Sequence, residues 1–220
     1  MKKLIFILLS MAIVSETFAQ EFKLLGGSNF SQYTFTPETY YGIDLESGLE
    51  FRRTSKLKKG VLVGAGIEFF FTRNIGVEID LLYFQKGSNS EVFRQGIPYI
   101  KNEHSLEVFS VPLLLKVKLR PDSSPYILGG FEFSYIFSHN SKISFVELLG
   151  QDRDEANLNE RTKNFDFAVV LGGGFEIKMQ GFSFFIEGRY HLGMRNIIFD
   201  YYPFESIKTR SEVLLFGIKI

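Results

Sequence analysis

The sequence predicts an all-β protein, an eight-stranded antiparallel up-and-down transmembrane β-barrel. Eight segments of about ten residues alternate apolar and polar positions, which is the period of a β-strand with two different faces. Long connections alternate with tight turns along the chain, as in small membrane barrels. The chain has no cysteine, so disulfides cannot stabilise it, and a closed hydrogen-bonded sheet is an alternative source of stability.

The N-terminus has the three parts of a secretory signal peptide. Lys2 and Lys3 precede an apolar run from Leu4 to Val14, and a small-residue cleavage site ends at Ala19. We therefore assign residues 1–19 to a signal peptide and residues 20–220 to one outer-membrane β-barrel domain. The 25 basic and 25 acidic residues of the chain balance, which gives no signature for nucleic-acid binding.

The predicted strands follow each other in a regular order. They span residues 21–30, 60–71, 74–87, 105–119, 125–138, 164–179, 182–194 and 212–220. Tight turns at residues 72–73, 120–124 and 180–181 join strands two to three, four to five and six to seven. The other connections, residues 31–59, 88–104, 139–163 and 196–211, are predicted to be long loops at the opposite end.

Each predicted strand has one apolar face. In the fifth strand, for example, Phe131 and Phe133 alternate with Glu132. Aromatic residues at both ends of the apolar faces would form the two belts of a membrane protein, so we expect these faces to contact lipid. A soluble exported barrel that binds an apolar ligand is the alternative, and it requires the phenylalanines to point inward.

With lipid outside, the charged faces point into the lumen. They contribute Lys23 and a predicted charge network of Glu68, Glu78, Asp80, Lys116, Lys118, Glu132, Asp166, Glu176, Lys178, Glu187, Arg189, His191 and Lys219. The interior of an eight-stranded barrel is just wide enough for side chains, so we expect these groups to pair with each other and exclude general diffusion. Pro112 cannot donate to a ladder and predicts a bulge or a local break in its strand.

Several motifs resemble one known family. The segments "LLYFQKG", "VPLLLKVKL", "PYILGGFEFSYIFS", "FDFAVVLGGGFEI" and "IEGRYHLGMRNI" are similar to those of the PorT-like small outer-membrane β-barrel family of Bacteroidota. The resemblance covers nearly all of residues 20–220 and implies an integral, porin-like barrel of the outer membrane. For PorT itself it implies a part in type IX secretion. Implied partners are outer-membrane lipid and lipopolysaccharide, the barrel assembly machinery and proteins of a secretion apparatus.

The row Glu187, Arg189 and His191 could suggest an active site. Alternate residues on one strand face lie roughly 6–7 Å apart, so their partners are expected on neighbouring strands. We predict a non-enzymatic protein with a structural, binding or secretion-associated role, and no catalytic residue, metal or cofactor. The alternative is a barrel enzyme that acts on lipid or peptide at the loop-side mouth through His191. The run "GGG" at residues 172–174 lacks the lysine and the helix of a phosphate loop, so it indicates close interior packing.

Overall fold

The computed structural model describes residues 19–36, 42–44, 49–120, 125–145, 153–199 and 206–220. The predicted signal peptide lies outside these residues, apart from Ala19. No helix in the described part of the chain is long and apolar enough to cross a membrane.

Eleven strands and one short helix make up the described structure. They are β1 (Ala19–Thr36), β2 (Gly42–Asp44), β3 (Leu49–Lys56), β4 (Lys58–Phe70), β5 (Ile75–Arg94), β6 (Ile97–Lys118), β7 (Pro125–Phe145), β8 (Arg153–Asn157), a 3-10 helix (Asn159–Arg161), β9 (Phe165–Met179), β10 (Phe182–Gly193) and β11 (Ser206–Lys219).

Eight of these strands close into a ring. Its order is β1, β4, β5, β6, β7, β9, β10 and β11, with every neighbouring pair antiparallel. Pairing of β1 with β11, from Lys23 opposite Lys219 to Thr36 opposite Ser206, completes the ring. The predicted all-β, eight-stranded antiparallel barrel is therefore confirmed.

The two faces of the ring strands point as the alternation predicts. The Phe133 side chain is 56% exposed on the outer surface, whereas the adjacent Glu132 is 0% exposed in the interior. An aromatic group that we call the upper belt lies on the outer surface and contains Tyr83, Phe109, Tyr135, Phe137 and Phe165, which contact one another across neighbouring strands. The alternative of a soluble barrel with inward-pointing phenylalanines is therefore wrong.

All four predicted loops are partly strands, so their assignment as loops needs correction; residues 196–211, for example, contain the first six residues of β11. Residues 88–104 continue β5 and β6 into one hairpin that ends in a two-residue turn at Gln95 and Gly96, whose φ angles are 49° and 81°. Positive φ at both positions is the signature of a tight hairpin turn. Residues 31–59 contain the end of β1 with β2 and β3, and residues 139–163 contain the end of β7 with β8.

The extended strands form a sheet beyond the upper belt. This upper sheet consists of β3, residues 85–94 of β5, residues 97–107 of β6, residues 138–145 of β7, and β8. Polar residues occur on both faces of these strands, and the apolar residues near the turn at Gln95 form no sustained alternation, so there is no apolar period for sequence analysis to detect. We call this end of the barrel the loop side and the opposite end the turn side.

Pro112 interrupts a ladder without shifting it. β5 and β6 have a gap in their pairing, between the pair Ile79 with Leu113 and the pair Leu82 with Ser110. The register is the same before and after this gap. On its other edge Pro112 pairs normally with Glu132. The predicted local break is present. The register shifts of β6 lie elsewhere. Its pairing with β7 shifts between Glu107 and Val108, and its pairing with β5 shifts between Val92 and Phe93 of β5.

Candidate functional site

A network of buried ion pairs fills the turn-side half of the lumen. We call it the lower network, and it contains Lys23, Glu68, Glu78, Asp80, Lys116, Lys118, Glu176, Glu187, Arg189 and Lys219, all at most 5% exposed. Its five acidic and five basic residues come from seven different strands of the ring. Because opposite charges alternate within it, the lower network needs no counterion from solvent.

The first part of the lower network is a chain of lysine and carboxylate contacts. Lys219 Nζ lies 2.6 Å from a carboxylate oxygen of Glu176 and 2.9 Å from one of Glu68. Lys116 Nζ continues the chain, at 2.8 Å from Glu68 and 3.1 Å from Glu78. Each lysine thus bridges two carboxylates from different strands, which ties those strands together through the lumen.

Arg189 lies at the centre of the second part. Its guanidinium donates to Glu78 at 2.5 Å and to Asp80 at 2.7 Å, and it also donates to Glu187. Lys23 Nζ lies opposite, at 2.5 Å from Glu78 and 2.8 Å from Asp80. The guanidinium presents five N–H donors in a planar fork, so Arg189 can donate to three carboxylates at once.

The glycine run of β9 makes room for a tyrosine in this network. Tyr126 donates its hydroxyl to Glu187 over 2.7 Å. A Cβ added to Gly174 would lie 2.5 Å from that hydroxyl oxygen, closer than the atoms can approach. The run at residues 172–174 therefore serves interior packing, and no helix follows it.

A second buried group lies above the lower network. Glu132 accepts hydrogen bonds from Lys86 Nζ at 2.6 Å and from Ser134 Oγ at 2.9 Å. His191 Nδ1 lies 2.7 Å from the other carboxylate oxygen, so it donates to that oxygen when Glu132 is ionised. The imidazole Nε2 is buried and has no hydrogen-bond partner among the described residues. Ser211 pairs with His191 across β10 and β11, and its buried hydroxyl also has no hydrogen-bond partner among the described residues.

An apolar cluster extends through the lumen from Phe185, which lies beside Lys23 and Lys219 of the lower network, to the loop side. It consists of Leu25, Tyr33, Phe35, Leu62, Leu82, Phe84, Leu106, Val108, Ile136, Phe185, Ile197, Val213 and Leu215. Ile197 follows β10 and is 0% exposed, because the chain after the strand folds inward and its backbone bonds to Ile207 and Lys163. We call this cluster the apolar cap, since it covers His191 from the loop side.

The structure brings together all but two of the predicted interior residues in these two groups. Asp166 is buried but separate, and it accepts a hydrogen bond from Thr209 at 2.7 Å. Lys178 is exposed, because β9 ends one residue later on the turn side. Lys86 was missed, although the alternation that places Glu78 and Asp80 inside extends to it. No sequence signal identified Tyr126 as a partner of the network.

Two histidines lie in the lumen just beyond the upper belt, outside the membrane-spanning segments. Their ring centroids are 5.6 Å apart. Burial, together with the charges of Arg53 and Lys58, lowers the pKa of His104 to about 4. Burial and the neighbouring His104 lower the pKa of His139 to about 3. Thr162 donates to the Leu158 carbonyl and so accepts from His139 Nδ1 at 2.6 Å, which fits a neutral His139 ring.

Three carboxylates at the turn side approach one another closely enough to be compared with a metal site. Oxygens of Glu21, Glu68 and Glu176 lie within 4.8 Å of one another. Lys219 contacts all three residues and Lys118 contacts two of them, so lysines already neutralise the group. We assign no metal to it.

The geometry of a closed barrel with a charged lumen can be compared with known proteins. The family described as "Outer membrane protein beta-barrel domain" matches residues 18–198. The chain belongs to this family. Its location is therefore the outer membrane, as the sequence predicts. No curated protein sequence matches the chain significantly.

Solved barrels of low sequence identity resemble this family member. The outer membrane protein OprG from Pseudomonas aeruginosa is 14% identical, with 92% of this chain and 95% of OprG covered and a TM-score of 0.48. The outer membrane protease OmpT from Escherichia coli is 10% identical, with 92% and 97% covered and a TM-score of 0.47. The attachment invasion locus protein Ail of Yersinia pestis is 14% identical, with 91% and 98% covered and a TM-score of 0.41.

Proposed function

We propose that this barrel is a non-enzymatic component of the outer membrane that does not conduct solutes and that binds partners on its loop side. The long β5–β6 hairpin is the observation that supports binding most directly. A transmembrane β-strand needs about 9–11 residues. The hairpin continues beyond the membrane-spanning part of β5. From Phe84 to the turn at Gln95 it measures about 35 Å along the strand, at the usual rise per residue.

The end of this hairpin has the composition of a contact site. Ile97 is 70% exposed directly after the turn, and Phe93 and Tyr99 lie near it on the two strands. These apolar residues lie far beyond the upper belt, so lipid does not cover them. Aromatic and apolar residues of this kind form the centres of protein interfaces. The PorT-like resemblance favours proteins of a secretion apparatus as partners.

The interior supports a protein without catalytic activity. His191 is the residue on which the enzyme alternative depends, and its hydrogen bond to Glu132 has the geometry of a catalytic pair. The His191 side chain is only 2% exposed beneath the apolar cap, so a lipid or peptide at the mouth does not reach it. A barrel enzyme is therefore the less favoured function.

Photo-cross-linking in native membranes tests the proposed binding. A photoreactive amino acid at Gln95 is expected to give a discrete adduct with a protein partner. The same group at Gln180 is the matched control, because both glutamines occupy exposed two-residue turns, at opposite ends of the barrel. Equal adducts at both positions, or none at Gln95, would contradict the proposal.

Conductance measurements test whether the lumen is closed. The purified protein, inserted into a planar bilayer, is expected to show no discrete current steps, because the lower network and the apolar cap fill the interior. A general porin inserted under the same conditions serves as the positive control. Reproducible current steps from the barrel itself would show that the interior is open.

A further inference from the structure

The face of the upper sheet opposite its buried serines is a concave polar surface. Ser88 and Ser90 are at most 2% exposed, so Asn89 and Glu91 between them point to the other face. On that face, β-sheet pairing places Lys56, Asn89, Glu103, Lys142 and Glu155 in one row across five strands, and Glu91, Lys101 and Ser144 in the next row. Together with Ser90 and Asn102, these residues line a cavity of about 590 Å³.

Nearly all charges of this polar cavity are already paired. Lys56 Nζ lies 2.6 Å from Glu91, and Lys142 Nζ lies 2.7 Å from Glu155. Glu103 lies 2.9 Å from Lys58 Nζ. Lys101 has no ion-pair or hydrogen-bond partner in the described part of the chain, although it is the cross-strand neighbour of both Glu91 and Ser144. Among the described side chains that line the cavity, Lys101 is therefore the one charge without a partner.

The composition of the cavity excludes several classes of ligand. Its volume falls in the range of roughly 300–1,000 Å³ that small-molecule sites occupy. Its lining contains no aliphatic or aromatic side chain, so an apolar ligand would find no matching surface. The centres of protein interfaces are depleted in lysine, glutamate and serine, which are most of the residues that line the cavity. A single free lysine is also too little charge for a polyanion.

The remaining class is a small hydroxylated ligand with one negative charge. We propose that the polar cavity binds an anionic saccharide, with Lys101 Nζ contacting the carboxylate or phosphate. The hydroxyl groups of the saccharide form hydrogen bonds with Asn89, Ser144 and the solvent-facing atoms of the Lys56–Glu91 pair. This inference rests on the proposed loop-side binding function, and it assigns to the upper sheet a ligand different from the protein partner of the hairpin tip.

Two sources can supply such a saccharide, a free sugar and the headgroup of lipopolysaccharide. In the first arm, sodium glucuronate and glucose are titrated separately into the protein in an amine-oxide detergent, which contains no sugar. Glucuronate is expected to bind about tenfold more tightly than glucose, because only glucuronate forms a charge-assisted contact with Lys101. In the second arm, the protein is titrated with lipopolysaccharide vesicles, and binding there alone assigns the site to the lipid headgroup.

Lys101→Gln tests the residue, and Lys59→Gln is its matched control. Lys59 is also exposed, on β4, and does not line the cavity. Lys101→Gln is expected to lose the preference for glucuronate, or the vesicle binding, while Lys59→Gln keeps it. Equal binding of glucuronate and glucose without vesicle binding, or an unchanged Lys101→Gln variant, would overturn the inference. A cross-link at Gln95 would leave the proposed function standing in that case. No cross-link at Gln95 together with glucuronate or vesicle binding that depends on Lys101 would contradict the proposed protein partner and leave the polar cavity as a saccharide site.

Discussion

Replacing Arg189 with methionine is expected to lower the free energy of unfolding of the barrel by about 3–5 kcal/mol. Arg189 donates to three carboxylates, those of Glu78, Asp80 and Glu187, and its side chain is fully buried. Methionine has a similar length but no charge, so these carboxylates would be left with only Lys23 and Lys116 nearby. A buried charge without a partner costs more than the pair contributed.

The loss can be measured by urea unfolding of the protein in lipid vesicles, followed by tyrosine fluorescence. Arg73→Met is the matched control, because Arg73 is exposed in the turn between β4 and β5. The unfolding midpoint of this variant is expected to equal that of the wild type. Arg189→Lys should fall between the wild type and Arg189→Met, since it keeps the charge but not the planar fork. Equal stability of Arg189→Met and the wild type would show that the lower network does not hold the strands together.

Acidification below pH 6.5 is expected to destabilise the loop-side part of the lumen through His104 and His139. Their folded-state pKa values are lowered to about 4 and about 3 from the ordinary 6.5. A lowered histidine pKa means that the unfolded chain binds more protons, so the stabilisation is complete above pH 6.5 and decreases as pH falls to the folded pKa. For His104 alone this amounts to roughly 3 kcal/mol between pH 6.5 and pH 4.

The comparison of variants separates the histidines from the carboxylates that also titrate in acid. Urea unfolding is measured from pH 7.5 to pH 4 for the wild type and for His104→Phe. His104→Phe is expected to lose less stability than the wild type over this range, because the phenylalanine cannot accept a proton. The charges that face His104 are those of Arg53 and Lys58, and both oppose its protonation. Parallel pH curves for the wild type and His104→Phe would contradict this assignment.

The faces of the strands could be predicted because lipid imposes one simple rule. A side chain toward lipid must be apolar, so Phe131 and Phe133 alternate with Glu132, and the same period identifies each ring strand. Beyond the upper belt that rule no longer holds. Residues 88–91 and 101–104 are polar on both faces, and the strands that contain them became visible only through their pairing in the structure.

The pairing partners in the lumen could not be predicted for a different reason. Arg189 contacts Glu78 and Asp80, which lie more than 100 residues away in sequence, and the choice of these partners depends on the stagger of the strands around the ring. An inward-facing carboxylate on any strand satisfies the same sequence pattern. Lys86 and Tyr126 acquire their partners, Glu132 and Glu187, in the same way.

The sequence by itself determined that eight strands cross the membrane, which face of each strand meets lipid, and that the lumen contains charges. Those properties follow from a local period of two residues, which every strand shows independently. Only the tertiary structure decided that Glu187, Arg189 and His191 belong to two separate buried groups, that an apolar cap covers them, and that the upper sheet forms a polar cavity. These features depend on strand register, on bulges and on the closure of the ring, which bring together residues distant in the chain.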